Sequence, residues 1–283
     1  MATRLPVLLF FIFGITSCQR VVDYPIAFEP KLVVQSFISP QYDSIIVSLS
    51  RNVPVIGTVV QTVPANATVK LQTSGRQIVL PMLPLNGVDV VNLSRRYGIR
   101  STSFSLKAGE NYELSATTPD GLTTTATCQI PLDKVPDESI DFQMLEKTKS
   151  RIRCVANWKI LSNDNYYNTN VVLVLIDRNQ QRYQLYSQNI FKKNGEAISN
   201  ILTTNELIFS NFPFEYLPEK SYLQVGIANV EKNYYDWGVK QILQGRQNSS
   251  NLFPEPVLIP NNINNGIGIF AGLNGTYLYK PLN

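Results

Sequence analysis

NYELSATTPDGLTTTATCQI, Asn111 to Ile130, consists of two strand-like runs, Asn111 to Thr118 and Leu122 to Ile130, on either side of Asp120-Gly121. Asp-Gly between alternating runs is a hairpin signal, because both residues tolerate the positive φ that a tight turn between twisted strands requires. Towards the N-terminus the same pattern recurs in KLVVQSFIS (Lys31 to Ser39), SIIVSLS (Ser44 to Ser50), ATVKLQT (Ala67 to Thr73) and RQIVLPM (Arg76 to Met82). Within ATVKLQT, Val69 and Leu71 alternate with Thr68, Lys70 and Gln72, the period of a strand buried on one face. Ser74-Gly75 supplies another turn. Strands at this spacing predict an immunoglobulin-like β-sandwich over residues 31–132. The immunoglobulin Cys and Trp pattern is missing, which leaves the topology open.

Beyond the hairpin, PLDKVPDES (Pro131 to Ser139) combines two prolines with charge, and residues 133–139 read as a linker. Residues 140–283 predict a second β-rich domain, with strands over Arg151 to Ile160, Asn170 to Ile176, Arg182 to Gln188, Leu207 to Phe209 and Tyr222 to Asn229. One prominent helix is expected near 230–245. Tyr234, Tyr235, Val239, Ile242 and Leu243 recur at three- and four-residue steps, Asn229 suits the N-cap and Gly245 suits the stop. Short strands around Ile267 to Phe270 and Thr276 to Tyr279 close a mainly β chain.

The N-terminus carries a different message. Arg4, an apolar run from Leu5 to Ile15 and then Thr16-Ser17-Cys18 have the layout of an export signal. Eleven helical residues reach roughly 17 Å against a hydrocarbon core of about 30 Å, too short to span. Ile15-Thr16-Ser17-Cys18 resembles a lipobox, so residues 1–17 are expected to be a lipoprotein signal peptide and 18–30 a tether lipidated on Cys18. A single acyl chain binds a membrane reversibly, whereas several make attachment effectively permanent.

Composition removes several functions. There is no histidine among the 283 residues, which excludes Ser-His-Asp and Cys-His nucleophiles and His-ligated zinc. Charged residues make up 16% and the net charge is +4 with no Lys/Arg block, so nucleic acid has no electrostatic footprint to bind. No metal or cofactor site is expected: Asn163-Asp164-Asn165 reads as a turn and not a calcium loop. Gly266, Gly268 and Gly272 read as turn or close-packing glycines, since no helix follows them as a nucleotide fingerprint requires. Glu110, Glu113, Asp120, Glu215, Glu219 and Asp236 are carboxylates that nothing in the sequence pairs, which makes a carboxylate-based hydrolase a remote alternative. Cys128 and Cys154 can pair as a disulfide or stand as two buried thiols.

Aromatic residues remain as candidates for binding: Tyr166-Tyr167, Phe212, Phe214-Glu215-Tyr216, and above all Tyr234, Tyr235 and Trp237. They can pack a core or offer ring faces to a ligand. Tyr234 and Tyr235 point about 100° apart on a helix, so burying both fully is not expected.

Asn251-Leu252-Phe253-Pro254-Glu255-Pro256-Val257 and the segment from Asn262 to Gly272 (NINNGIGIFAG), with the lipobox, Pro30-Lys31-Leu32-Val33-Val34 and the helix near Tyr234-Tyr235, resemble the Bacteroidota lipoprotein family known as domain of unknown function 4249. The resemblance covers essentially the whole mature chain and lends no catalytic residue. It implies an outer-membrane lipoprotein, non-enzymatic, acting as accessory to a TonB-dependent receptor in nutrient uptake. The alternative is an independent surface lipoprotein that binds a glycan or peptide. Gln19, Arg20, Val21 and Val22 stand where surface-exposed relatives often carry acids, which leaves cell surface and periplasmic face both open.

Overall fold

The structure is a computed structural model that describes residues 28–54, 64–85, 87, 93–161, 165–176, 182–187, 189–204, 207–210, 220–250 and 257–282. The signal peptide, Cys18, Asn163, Asp164, Phe212, Phe214, Glu215, Tyr216 and Glu219 lie outside the described residues.

The N-terminal strands are β1 (Leu32–Ile38), β2 (Ser44–Arg51), β3 (Thr68–Thr73), β4 (Arg76–Leu80), β5 (Arg95–Arg100), β6 (Asn111–Thr117) and β7 (Thr123–Gln129). There follow β8 (Ile140–Lys147), β9 (Arg151–Lys159), β10 (Tyr166–Ile176), β11 (Arg182–Tyr186), β12 (Ile190–Lys193), β13 (Ile201–Thr203), β14 (Leu207–Ser210) and β15 (Tyr222–Val230). Helix α1 (Lys232–Ser250), β16 (Ile263–Asn264) and β17 (Gly266–Pro281) complete the chain. The fold is mainly β, as the alternating runs predict, and the expected hairpin is β6–β7, with Tyr112 opposite Cys128 and Leu114 opposite Ala126.

One long sheet, in the order β11-β10-β15-β17-β1-β2-β5 with β12 also on β10, is the spine of the molecule. β17 joins its halves. Its first part runs parallel to β1, Leu32 opposite Gly266 through Ile38 opposite Gly272, and its second part runs antiparallel to β15, Val230 opposite Leu273 through Tyr222 opposite Pro281. Since side chains alternate faces along a strand, Phe270 and Leu278 point to one side, and Ile269, Ala271 and Leu273 to the other.

Two smaller sheets cover the first side. The sheet β16-β7-β6-β3-β4 packs on the N-terminal half, closing a core of Leu32, Val34, Val47, Leu71, Leu114 and Phe270. The sheet of β8, β9, β13 and β14 packs on the C-terminal half, where Ile152, Cys154 and Trp158 meet Tyr167, Leu173 and Val225. On the second side α1 covers only part of the spine, seating Tyr234 over Ala228, Val230, Ile269 and Leu273. The ring of Phe191 lies against Gly238 of α1, where a Cβ would come within 2.0 Å of it.

Three expectations need correction. Residues 31–132 do not make the first sandwich alone, because β16 pairs with β7 and β17 with β1. Residues 133–139 are a docked strap and not a free linker: Val135 is fully buried in the second core, and its carbonyl accepts a hydrogen bond from the Thr276 hydroxyl. Nor does Asn229 cap the helix. It lies within β15, donating its amide to the Asp133 carbonyl at 2.9 Å and to Asn165 Oδ1 at 3.0 Å, while the Glu231 carbonyl receives the N–H groups of Tyr234 and Tyr235. α1 also runs through Gly245 to Ser250, since an exposed glycine with open space around it weakens a helix by about 1 kcal/mol without breaking it.

Candidate functional site

Tyr234, Tyr235 and Trp237 are chiefly packing residues. Tyr234 is 8% exposed and is ringed by Phe37 (centroids 4.8 Å apart), Phe191 (5.6 Å) and Trp237 (6.0 Å). Burial holds its phenol well above the usual range. Tyr235, half-buried as the 100° offset requires, lies 5.0 Å from Tyr166 and donates to Glu196 Oε1 at 3.4 Å. Tyr167 belongs to the second core, its hydroxyl accepting from the Leu161 N–H and donating to Asn194 Oδ1.

Cys128 and Cys154 do not pair; each is a free thiol buried in a different core. Their sheets pack on different halves of the spine's first side, which keeps them in separate interiors. Burial pushes the Cys154 thiol up to about 12, and burial with the Glu231 charge raises Cys128 well above its ordinary value. Neither is suited to nucleophilic work, which needs thiolate.

The described acids are dispersed. Glu110 meets Arg76 at 2.8 Å, Glu113 accepts from Gln72 at 2.7 Å, Asp120 takes a two-pronged contact from Arg51 and Asp236 pairs with Lys232. Among the described residues no three His, Cys, Asp or Glu side chains gather as metal ligands. Gly266, Gly268 and Gly272 all sit in β17, backed against Thr124, Val34 and Gln129, so they are packing positions.

One acid has a special position. Glu231 precedes α1 and accepts the Gln129 N–H at 2.6 Å and the Gly272 N–H at 2.9 Å, clamping the helix start, the β7 edge and the spine together. Burial raises its pKa and outweighs the two backbone N–H groups, which lower it. A carboxyl raised in the folded state favours folding fully below its unfolded value of about 4.3 and loses that contribution as pH rises through the folded value. The expected result is a component of unfolding free energy that falls with rising pH above about 4.3 and is lost in Glu231→Gln. Urea titrations of both proteins across this range check it; parallel pH profiles would contradict it.

The open part of the spine's second side forms a groove of about 650 Å³ lined by Gln35, Phe37, Tyr42, Asp43, Ser48, Arg182, Gln224, Tyr277 and Tyr279, among others. Its floor is fixed by the β1–β2 turn. Gln41 accepts from the Ser39 hydroxyl at 2.6 Å and the Gly275 N–H at 3.0 Å, and donates to Asn274 Oδ1 at 3.0 Å. Tyr42 and Tyr277 share a hydrogen bond, and burial raises both phenols. Tyr279 remains 60% exposed, held edge-on to Tyr222 at 5.7 Å. Sequence reasoning missed this constellation. The available signal was the i, i+2 spacing of Tyr277 and Tyr279 in a strand, which puts both rings on one face.

Residues 20–277 match the model of the family described as domain of unknown function (DUF4249), and the chain belongs to that family. No curated protein matches it. Among solved structures it is similar to the FN1–FN3 domains of chicken CNTN1, at 13% identity and a TM-score of 0.24, over 71% of this chain. It spans 60% of the length of that chain. Among the described residues no helix is long and apolar enough to cross a membrane.

Proposed function

We propose that this protein is a non-enzymatic lipoprotein, held to the outer membrane by lipid on Cys18, that serves as accessory to a TonB-dependent receptor in nutrient uptake. The observation that carries the reading is the apolar run ending in Ile15-Thr16-Ser17-Cys18. Thirteen residues separate Cys18 from Leu32, the start of β1, a tether of at most about 45 Å. The domain therefore works close to the membrane. The receptor role follows from the resemblance set out in the sequence, and the dispersed acids and inert thiols favour binding over catalysis.

Cys18→Ala should move the protein from the membrane fraction to the soluble one, and crosslinking in gentle detergent should recover the wild type with a large β-barrel receptor. Unchanged attachment of the variant would overturn the anchor, and recovery of the lipoprotein alone would overturn the accessory role. The groove favours a second reading, an independent surface protein that binds a glycan or peptide.

A further inference from the structure

We propose that the groove on the open side of the spine binds a neutral oligosaccharide, with the Tyr279 and Phe37 rings as stacking surfaces and the Gln35 and Gln224 amides as hydroxyl readers. This deepens the second reading above and rests on it for the existence of a ligand. Its volume, about 650 Å³, lies within the range of small-molecule sites. Sugars offer C–H faces to aromatic rings and hydroxyls to groups that both donate and accept, and side-chain amides do both. The groove supplies both kinds of surface on one wall.

The rings are held before any ligand arrives. Phe37 is fixed by Tyr234 and by Trp237 (5.6 Å), and Tyr279 is set against Tyr222. Held rings lose little further freedom on binding, which favours affinity. Charge points to a neutral ligand, because among the described residues the wall carries one acid, Asp43, and one cation, Arg182. The lining favours a sugar over a peptide, because it offers the amides of Gln35 and Gln224 and the hydroxyls of Ser44 and Ser48, which pair with sugar hydroxyls.

The test is isothermal titration calorimetry of the full mature chain with neutral hexasaccharides of glucan, xylan and mannan. At least one should bind, with affinity weakened about tenfold in Tyr279→Ala and in Gln224→Ala. Tyr183→Ala, an exposed ring on β11 outside the groove, should bind as the wild type does, and all three variants should keep its melting temperature. Binding of none of the three sugars, or affinity unchanged in Tyr279→Ala and Gln224→Ala, would overturn the proposal. If a tripeptide and pentapeptide mixture binds the groove where no sugar does, the oligosaccharide assignment fails while the independent-binder reading survives.

Discussion

A chain ending at Asn262 is expected to lose its cooperative fold entirely, although only the last strands are gone. The deletion removes β16 and β17, and β17 is central to the spine. β1 would lose its partner from Leu32 to Ile38 and β15 from Tyr222 to Val230, exposing two rows of backbone donors and acceptors that are paired in the native protein. The first core would lose Phe270, fully buried, whose truncation to alanine alone costs about 3–5 kcal/mol. The helix would lose Ile269, Ala271 and Leu273 beneath Tyr234, and the strap would lose Thr276. Single domains have about 5–15 kcal/mol in total, less than the sum of these losses. Far-UV circular dichroism with thermal melting checks it; a sharp transition near that of the whole chain would show that the N-terminal sandwich folds without its C-terminal strand. The same reasoning predicts that residues 31–132, a domain by sequence pattern, do not fold alone.

That boundary shows where sequence reading stops. Hairpins were legible because the turn and both partners lie within twenty residues: Asp120-Gly121 places β6 beside β7, and Ser74-Gly75 places β3 beside β4. The parallel pairing of β1 with β17 joins residues more than two hundred positions apart, and no local pattern encodes it. β17 itself reads as two short strands because Asn274-Gly275 resembles a break. In the fold Asn274 is buried and uses its amide on the Pro131 and Leu132 carbonyls, so the strand runs straight through. β5 was hidden by composition, since Arg95, Arg96 and Arg100 mask the Tyr97 that it buries. Side-chain roles followed the same rule. The 100° offset of Tyr234 and Tyr235 was readable from helix geometry. Glu231 was not, because its partners come from β7 and β17, remote in sequence.

The two sides of the spine divide the labour. One side is covered along both halves by smaller sheets and supplies stability. The other is covered in part by α1, and the aromatic packing of α1 also steadies Phe37 at the groove wall. The aromatic cluster that the sequence offers as a binding site thus supports the wall of the groove next to it.

The second large effect is expected at Gly268, where replacement by alanine should lower stability by about 3–5 kcal/mol, through strain of about 1–3 kcal/mol at a forbidden backbone angle and a collision of similar cost. Gly268 has φ +124°, a conformation that residues with a Cβ rarely adopt, and it lies opposite Val34 in the parallel ladder. A Cβ there would sit 1.9 Å from the Val34 carbonyl oxygen, 2.9 Å from its carbon and 3.1 Å from its nitrogen. All three are backbone atoms of a central strand, so no rotamer change relieves the contact; β1 and β17 would have to part. In a chain of this size each kcal/mol moves the melting temperature by roughly 2–4 °C, which predicts a fall on the order of 10 °C. Gly245 is the internal control. It lies within α1 with nothing within 4 Å of its missing Cβ, so Gly245→Ala should stabilise by up to about 1 kcal/mol through helix propensity. The same substitution at two glycines should therefore move thermal and urea midpoints in opposite directions. Equal effects at both would mean that the close approach of β17 to Val34 does not depend on glycine.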